Sequence, residues 1–173
     1  MSIEKINLKK GRAKRSTLAM WVDVQRGIAG STGEVWEPLG VGTEDASITY
    51  DYDDATTTDI WNITETMING VTQEISFDPN YVRAGDELQA ILIDMINREA
   101  WDELSGFKVL IARYYIGEEG KYQAMTYDAC TIKVDSEGGA NYVSMPITVS
   151  IGGQKTMGTV DKRPPNVPVF SVA

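Results

Sequence analysis

Apolar residues recur at steps of three and four over only one stretch of this chain, and alternate with polar ones over most of the rest. The helical stretch runs over about residues 84–104. Leu88, Ile91, Leu92, Met95, Ile96, Trp101 and Leu104 form one stripe, and Asp86, Glu87, Asp94, Arg98, Glu99 and Asp102 form the other. Asp86 and Glu87 sit in the first turn, where free amides favour negative charge, with Gly85 before them and Gly106 after the run. The pattern predicts a single amphipathic helix that covers one face or edge of a β structure.

Period-two alternation marks the strands. Leu18, Met20, Val22 and Val24 oppose Ala19, Trp21 and Asp23; Ala46, Ile48, Tyr50 and Tyr52 oppose Ser47, Thr49 and Asp51. Residues 51–58, DYDDATTT, read as an acidic, hydroxyl-rich hairpin tip from which residues 60–64 return. Asn69-Gly70 reads as a second tight turn, into Val71, Ile75 and Phe77 alternating with Thr72, Glu74 and Ser76. After the helix, residues 107–116 are apolar on both sides, as in a strand covered on both faces. Residues 122–134 follow. A final strand then places Val143, Met145, Ile147, Val149 and Ile151 opposite Ser144, Thr148 and Ser150, with Pro146 marking an edge or bulge. The expected order is four strands, one helix and three strands, between a basic arm (1–16) and an extended Pro-containing tail (162–173), with one domain over 17–161.

Composition narrows the function. The chain has 173 residues, enough to bury roughly 70% of its unfolded surface without a metal or disulfide staple. A single cysteine, Cys130, excludes a disulfide framework within the chain, and the absence of histidine removes the commonest general base and zinc ligand. No P-loop, GxGxxG or GxSxG stands in a fitting context. Cys130 lacks a histidine to activate it, so a buried structural thiol is expected. The cluster Asp51, Asp53 and Asp54 lacks the distal glutamate of a calcium loop and reads as solvated. The four tryptophans are dispersed, which favours core or interface packing over a stacking platform. The reading is therefore a non-enzyme with no cofactor and no metal. The apolar run LAMWV is too short for a membrane span, and a soluble protein made in a reducing cytoplasm is expected.

Charge is segregated. Residues 1–15 carry six basic residues (Lys5, Lys9, Lys10, Arg12, Lys14, Arg15) against Glu4 alone, while the remainder is strongly acidic at −14. An acidic body repels nucleic acid, and a basic arm without interleaved aromatics is a weak nucleic-acid signal. The segregation points instead to contact between copies, with Lys9, Lys10, Arg12, Lys14 and Arg15 meeting Asp51, Asp53 and Asp54 across a subunit or ring interface.

The order of elements resembles the tail tube proteins of long-tailed bacteriophages, over roughly residues 18–161. The helix-to-strand passage AGDELQAILIDMINREAWDELSGFKVLIARYY carries most of the resemblance. The closing TYDACTIKVDSEGGANYVSMPITVSIGGQKTMGTV and the upstream DASITYDYDD…TTTDIWN…INGVTQEISFDP add to it. The resemblance implies a mainly β sandwich or barrel of two packed sheets with one flanking helix. It also implies assembly into stacked, six-membered rings of a virion tail, built in the host cytoplasm around a lumen that DNA traverses, with a tape measure and a tail terminator as further partners. On that reading the hydroxyl-rich strand faces line the lumen: Ser47, Thr49, Thr72, Glu74, Ser76, Ser144, Thr148 and Ser150. The rival reading, from another class, is a monomeric β-sandwich module binding sugar or protein on a virion or secretion machine.

Overall fold

A computed structural model describes residues 11–25, 33–41, 43 and 46–173. Nine antiparallel strands form one sheet: β1 (Leu18–Asp23), β2 (Trp36–Pro38), β3 (Ile48–Thr58), β4 (Thr64–Phe77), β5 (Ser105–Glu118), β6 (Lys121–Val134), β7 (Ile147–Ile151), β8 (Lys155–Val160) and β9 (Phe170–Val172). The main order is β2-β1-β5-β6-β7-β4-β3, with β8 and β9 branching from β6. One α-helix, α1 (Glu87–Asn97), lies between β4 and β5. The mainly β architecture with one flanking helix is as expected, and its layers are parts of one bent, unclosed sheet.

The bend arises on β6. Its first half, Tyr122–Tyr127, pairs with β8, and its second half, Thr131–Val134, pairs with β7. Opposite β5 the register slips, so that Phe107 faces Cys130 while Val109 faces Tyr127. The extra residue turns both Tyr127 and Cys130 toward one core and sharpens the local twist. In consequence Met20 and Val22 of β1 share a core with Ile75 and Phe77 of β4, although three strands separate them in the sheet order. Leu88, Leu92 and Met95 of α1 fill the same core, so the helix stripe seals it. Burial of Cys130 raises its thiol pKa, which suits a structural residue.

The predicted helix is too long at both ends. Asp86 is the N-cap, its Oδ1 accepting from the Gln89 amide at 3.0 Å. The far end closes at Asn97. Glu99 turns left-handed (φ 55°), its amide donates to Ile96 O, and Ala100 N–H donates to Met95 O at 2.9 Å. This is a Schellman closure without its usual glycine. Beyond it Trp101–Leu104 forms a separate 3-10 turn, and Trp101 is exposed rather than part of the buried stripe.

Three further expectations are corrected. Residues 51–58 are strand, not a tip; β3 runs through them, and the turn is at residues 59–63. Asn69-Gly70 makes no turn; it lies inside β4, where the register jumps from Asp53↔Gly70 to Asp54↔Ile68, and an Asn-Gly pair serves a bulge as readily as a turn. Five strands follow the helix, not three. The last expected strand begins only at Ile147, because Pro146 lacks a ladder donor, and β8 and β9 were not anticipated. Gly153 (φ 84°) makes the β7–β8 turn, where a Cβ would collide with Asp128 and Ala129.

The reverse face of the sheet holds a second, aromatic cluster. Tyr114 meets Trp21 and Tyr122 edge to face, at centroid distances of 6.2 and 5.1 Å. The Tyr114 hydroxyl is buried without a hydrogen-bond partner, and burial pushes the phenol pKa up. An unpaired buried hydroxyl costs about 1–3 kcal/mol. Tyr114→Phe is therefore expected to raise stability, by about 1 kcal/mol in urea denaturation. A loss of similar size would show that the hydroxyl is paired after all.

Candidate assembly surfaces

Two surfaces of this sheet stand out, and both belong to the β3–β4 hairpin. Its base is in the core, where Ile48 pairs with Ile75. Beyond Tyr50 the hairpin leaves the body and is largely exposed on both faces out to its tip. At about 3.3 Å per residue, the eight residues from Asp51 to Thr58 carry it roughly 25 Å into solvent. Cross-strand hydroxyl pairs, Thr56–Thr66 at 3.4 Å and Thr58–Thr64 at 3.2 Å, help hold its register.

One face of the hairpin continues into a polar row. Thr49 pairs with Glu74, which pairs with Ser150, which pairs with Thr131; Ser76 pairs with Thr148, which pairs with Lys133. Because partners in an antiparallel ladder share a face, Thr49, Thr72, Glu74, Ser76, Thr148 and Ser150 lie together. Ser47 is exposed just ahead of β3. Ser144 departs from the set: it lies outside β7, and its hydroxyl contacts the Asn80 backbone. The sequence reading omitted Thr131, Lys133 and Asp135 from this region, since the β6 bulge shifts the alternation that would have placed them. Ser150 donates to Glu74 at 2.8 Å and Thr148 to Asp135 at 2.7 Å. The Ser150 hydroxyl and the Lys133 ammonium, 3.6 Å away, hold the Glu74 carboxylate below its usual pKa range. With Asp51 and Asp53 on the same side, carboxylates outnumber the one lysine, and the row is acidic and hydroxyl-rich.

The other face is apolar near its base, turns to threonine pairs further out, and ends in an apolar tip. Tyr52, Val71 and Ile68 follow Ile48 along the core side of the hairpin but lie beyond the core, all about half exposed or more. Asp54 is on this side, so it does not converge with Asp51 and Asp53. At the tip Ile60 is 94% exposed, Trp61 79% and Ile63 58%. The turn is nevertheless well ordered. Asp59 Oδ1 accepts from the amides of Trp61 (2.8 Å) and Ile63 (2.9 Å), and Asn62 takes a left-handed φ of 62°. Among the described residues nothing pairs with the outer edge of β3 along its 11 residues, since β3 ends the sheet.

Of the basic interface candidates, Lys9 and Lys10 lie outside the described residues. Arg12 and Lys14 are exposed. Arg15 is committed within the chain: its guanidinium donates to Leu18 O and Ala46 O, both at 2.6 Å, tying the start of β1 to the approach to β3. Among the described residues, no group of three or more His, Cys, Asp or Glu is placed to hold a metal. No helix among them is long and apolar enough to cross a membrane.

No protein-family model matches the chain, and no curated protein matches it by sequence. Solved structures do match. A chain from the sheath–tube complex of PVC, an extracellular contractile injection system in its extended state, superposes with a TM-score of 0.51 at 14% identity. The match covers 87% of this chain and 94% of that one. The sheath/tube terminator of PVC gives 0.54 at 12% identity, over 86% and 97%. The cap of the anti-feeding prophage, the AFP tube terminating cap, gives 0.51 at 12% identity, over 90% and 96%. At such identities what is shared is the fold. It is shared with parts of contractile injection systems and does not single out the tube of a long-tailed phage.

Proposed function

We propose that this chain is the repeating subunit of a tail-like tube, stacking as rings of six around a lumen that conducts DNA. The observation that carries the reading is the β3–β4 hairpin: a long strand edge, unpaired among the described residues, on a projecting arm with an exposed apolar tip. Such an edge on a lone monomer is a site of uncontrolled pairing, and natural sheets cover, shorten or charge it. Here it is long, and its core-side apolar residues await a surface. A second copy supplies both a strand and a cover. The shared fold with sheath–tube and terminator chains supports the same reading.

The polar row suits a lumen wall. Each basic contact with phosphate adds affinity, so a conduit works best with hydroxyls and carboxylates and few cations. Thr49, Thr72, Glu74, Ser76, Thr148 and Ser150 provide that surface, with Lys133 drawn toward Glu74. The tape measure and the tail terminator are the further partners this role requires, and the assembly would be part of a virion or a virion-like tail. Sedimentation velocity tests the reading: the purified chain is expected to shift from a 19.1 kDa species to large assemblies as concentration rises. A single monomeric species at every concentration would overturn it.

A further inference from the structure

The open edge of β3 runs beside a row of unpaired negative charge. Asp51, Asp53, Asp54 and Glu65 are exposed, and among the described residues none of them makes an ion pair. Residues 48–77 hold no lysine or arginine, so the hairpin itself supplies no balancing charge. The opposite charge stands ahead of β1. Residues 4–14 carry Lys5, Lys9, Lys10, Arg12 and Lys14 against Glu4 alone. Arg15 is not counted with them, because its guanidinium is bonded to Leu18 O and Ala46 O. Arg12 and Lys14 are exposed and, among the described residues, make no ion pair. Over residues 5–9 polar and apolar positions alternate, Lys5, Asn7 and Lys9 against Ile6 and Leu8. β3 has the same division, with Asp51 and Asp53 on one face and the exposed rings of Tyr50 and Tyr52 on the other.

We propose that residues 4–10 of one copy add as a further strand to the outer edge of β3 on the next. Backbone bonds along the edge hold the added strand, and its two faces set the register. Lys5 and Lys9 lie on the side of Asp51 and Asp53, while Ile6 and Leu8 cover Tyr50 and Tyr52. A one-residue slip would put lysines against the tyrosines and apolar side chains against the carboxylates. The strand comes from a neighbour. Within one chain, residues 11–14 are exposed and, among the described residues, make no backbone bond to β3. The arm leaves from the β2–β1 end of the strand order, and β3 closes the other end. Copies arranged head-to-tail bring those two ends together, and repeating the contact generates rings or open helical arrays. Arg15 fixes the root of the arm, and residues 11–14 can bridge up to roughly 13 Å of the junction. The inference rests on the tube reading and names the segment that pairs with its exposed edge.

Truncation and cross-linking test it. Deleting residues 2–14 keeps Arg15, so the melting curve should stay unchanged. The concentration at half assembly should rise by about tenfold or more, as the loss of one or two backbone hydrogen bonds would produce. An unchanged assembly concentration would overturn the strand addition and leave the tube reading standing. In the otherwise intact chain, Leu8→Cys and Tyr52→Cys variants are mixed under assembly conditions and treated with a short bismaleimide. Cys130 is fully buried and stays silent, with the native chain as control. The expected result is a cross-linked dimer in the mixture and little with either variant alone. Large assemblies that give no mixed dimer, or as much dimer from Leu8→Cys alone, would likewise overturn the strand addition. Failure of even the native chain to self-associate would overturn both readings.

Discussion

Leu92→Ala is expected to destabilise the folded chain by about 2–5 kcal/mol, the range for removing a buried leucine and leaving a cavity. Leu92 is fully buried on α1, in one cluster with Leu88, Met95, Ile75 and Phe77. The helix seals the space between the β1 and β4 parts of the sheet, so a void there faces both and neither can close it alone. The melting temperature should fall by roughly 5–15 °C for a chain of this size. Ile91→Ala, one position along the helix and only partly buried, should cost clearly less. Equal melting curves for Leu92→Ala and the native chain would remove the helix from the core.

Shortening the hairpin should have the opposite profile. Replacing residues 53–70 with a two-residue Asn-Gly turn joins the paired Tyr52 and Val71 directly. The removed segment makes no core contact, so the melting temperature should change little. Assembly should be lost, because the tip and most of the outer strand edge go with it. Sedimentation of the shortened chain at concentrations where the native one forms large species reads this out. Assemblies of native size would show that the hairpin is dispensable. Added salt should weaken native assembly as well, since the Debye length falls from about 10 Å at 0.1 M to about 3 Å at 1 M.

Some of this was legible in the residues, and the reasons for the rest are local. The stripe of α1 was readable because its burial follows a 3.6-residue period. The helix end was not, because Glu99 takes the left-handed position that sequence reading looks for in glycine. The hairpin was placed correctly but its turn was not: the actual turn has no glycine and is built by the Asp59 side chain, while the conspicuous Asn69-Gly70 serves a bulge. Six of the eight lumen candidates could be found by alternation and do share a strand face. Ser47 precedes β3, and Ser144 was misplaced because Pro146 cuts the strand on which the alternation was counted. Strand β8 carries Gly158 at its centre, which reads as a break. In the fold that glycine leaves room for the Phe170 ring and the Ser171 carbonyl of β9. The exposed Trp61 was invisible as such, since dispersed tryptophans look alike until burial separates Trp21 and Trp36 from Trp61 and Trp101.

Electron microscopy of the assembled native chain tests the central claim most directly. Class averages are expected to show rings with six-fold symmetry stacked into rods. A reconstruction should place Thr49, Thr72, Glu74, Ser76, Thr148 and Ser150 on the lumen wall and the β3 edge against a neighbouring subunit. Dispersed monomers at all concentrations, or rods whose inner wall is lined by another face of the sheet, would contradict it.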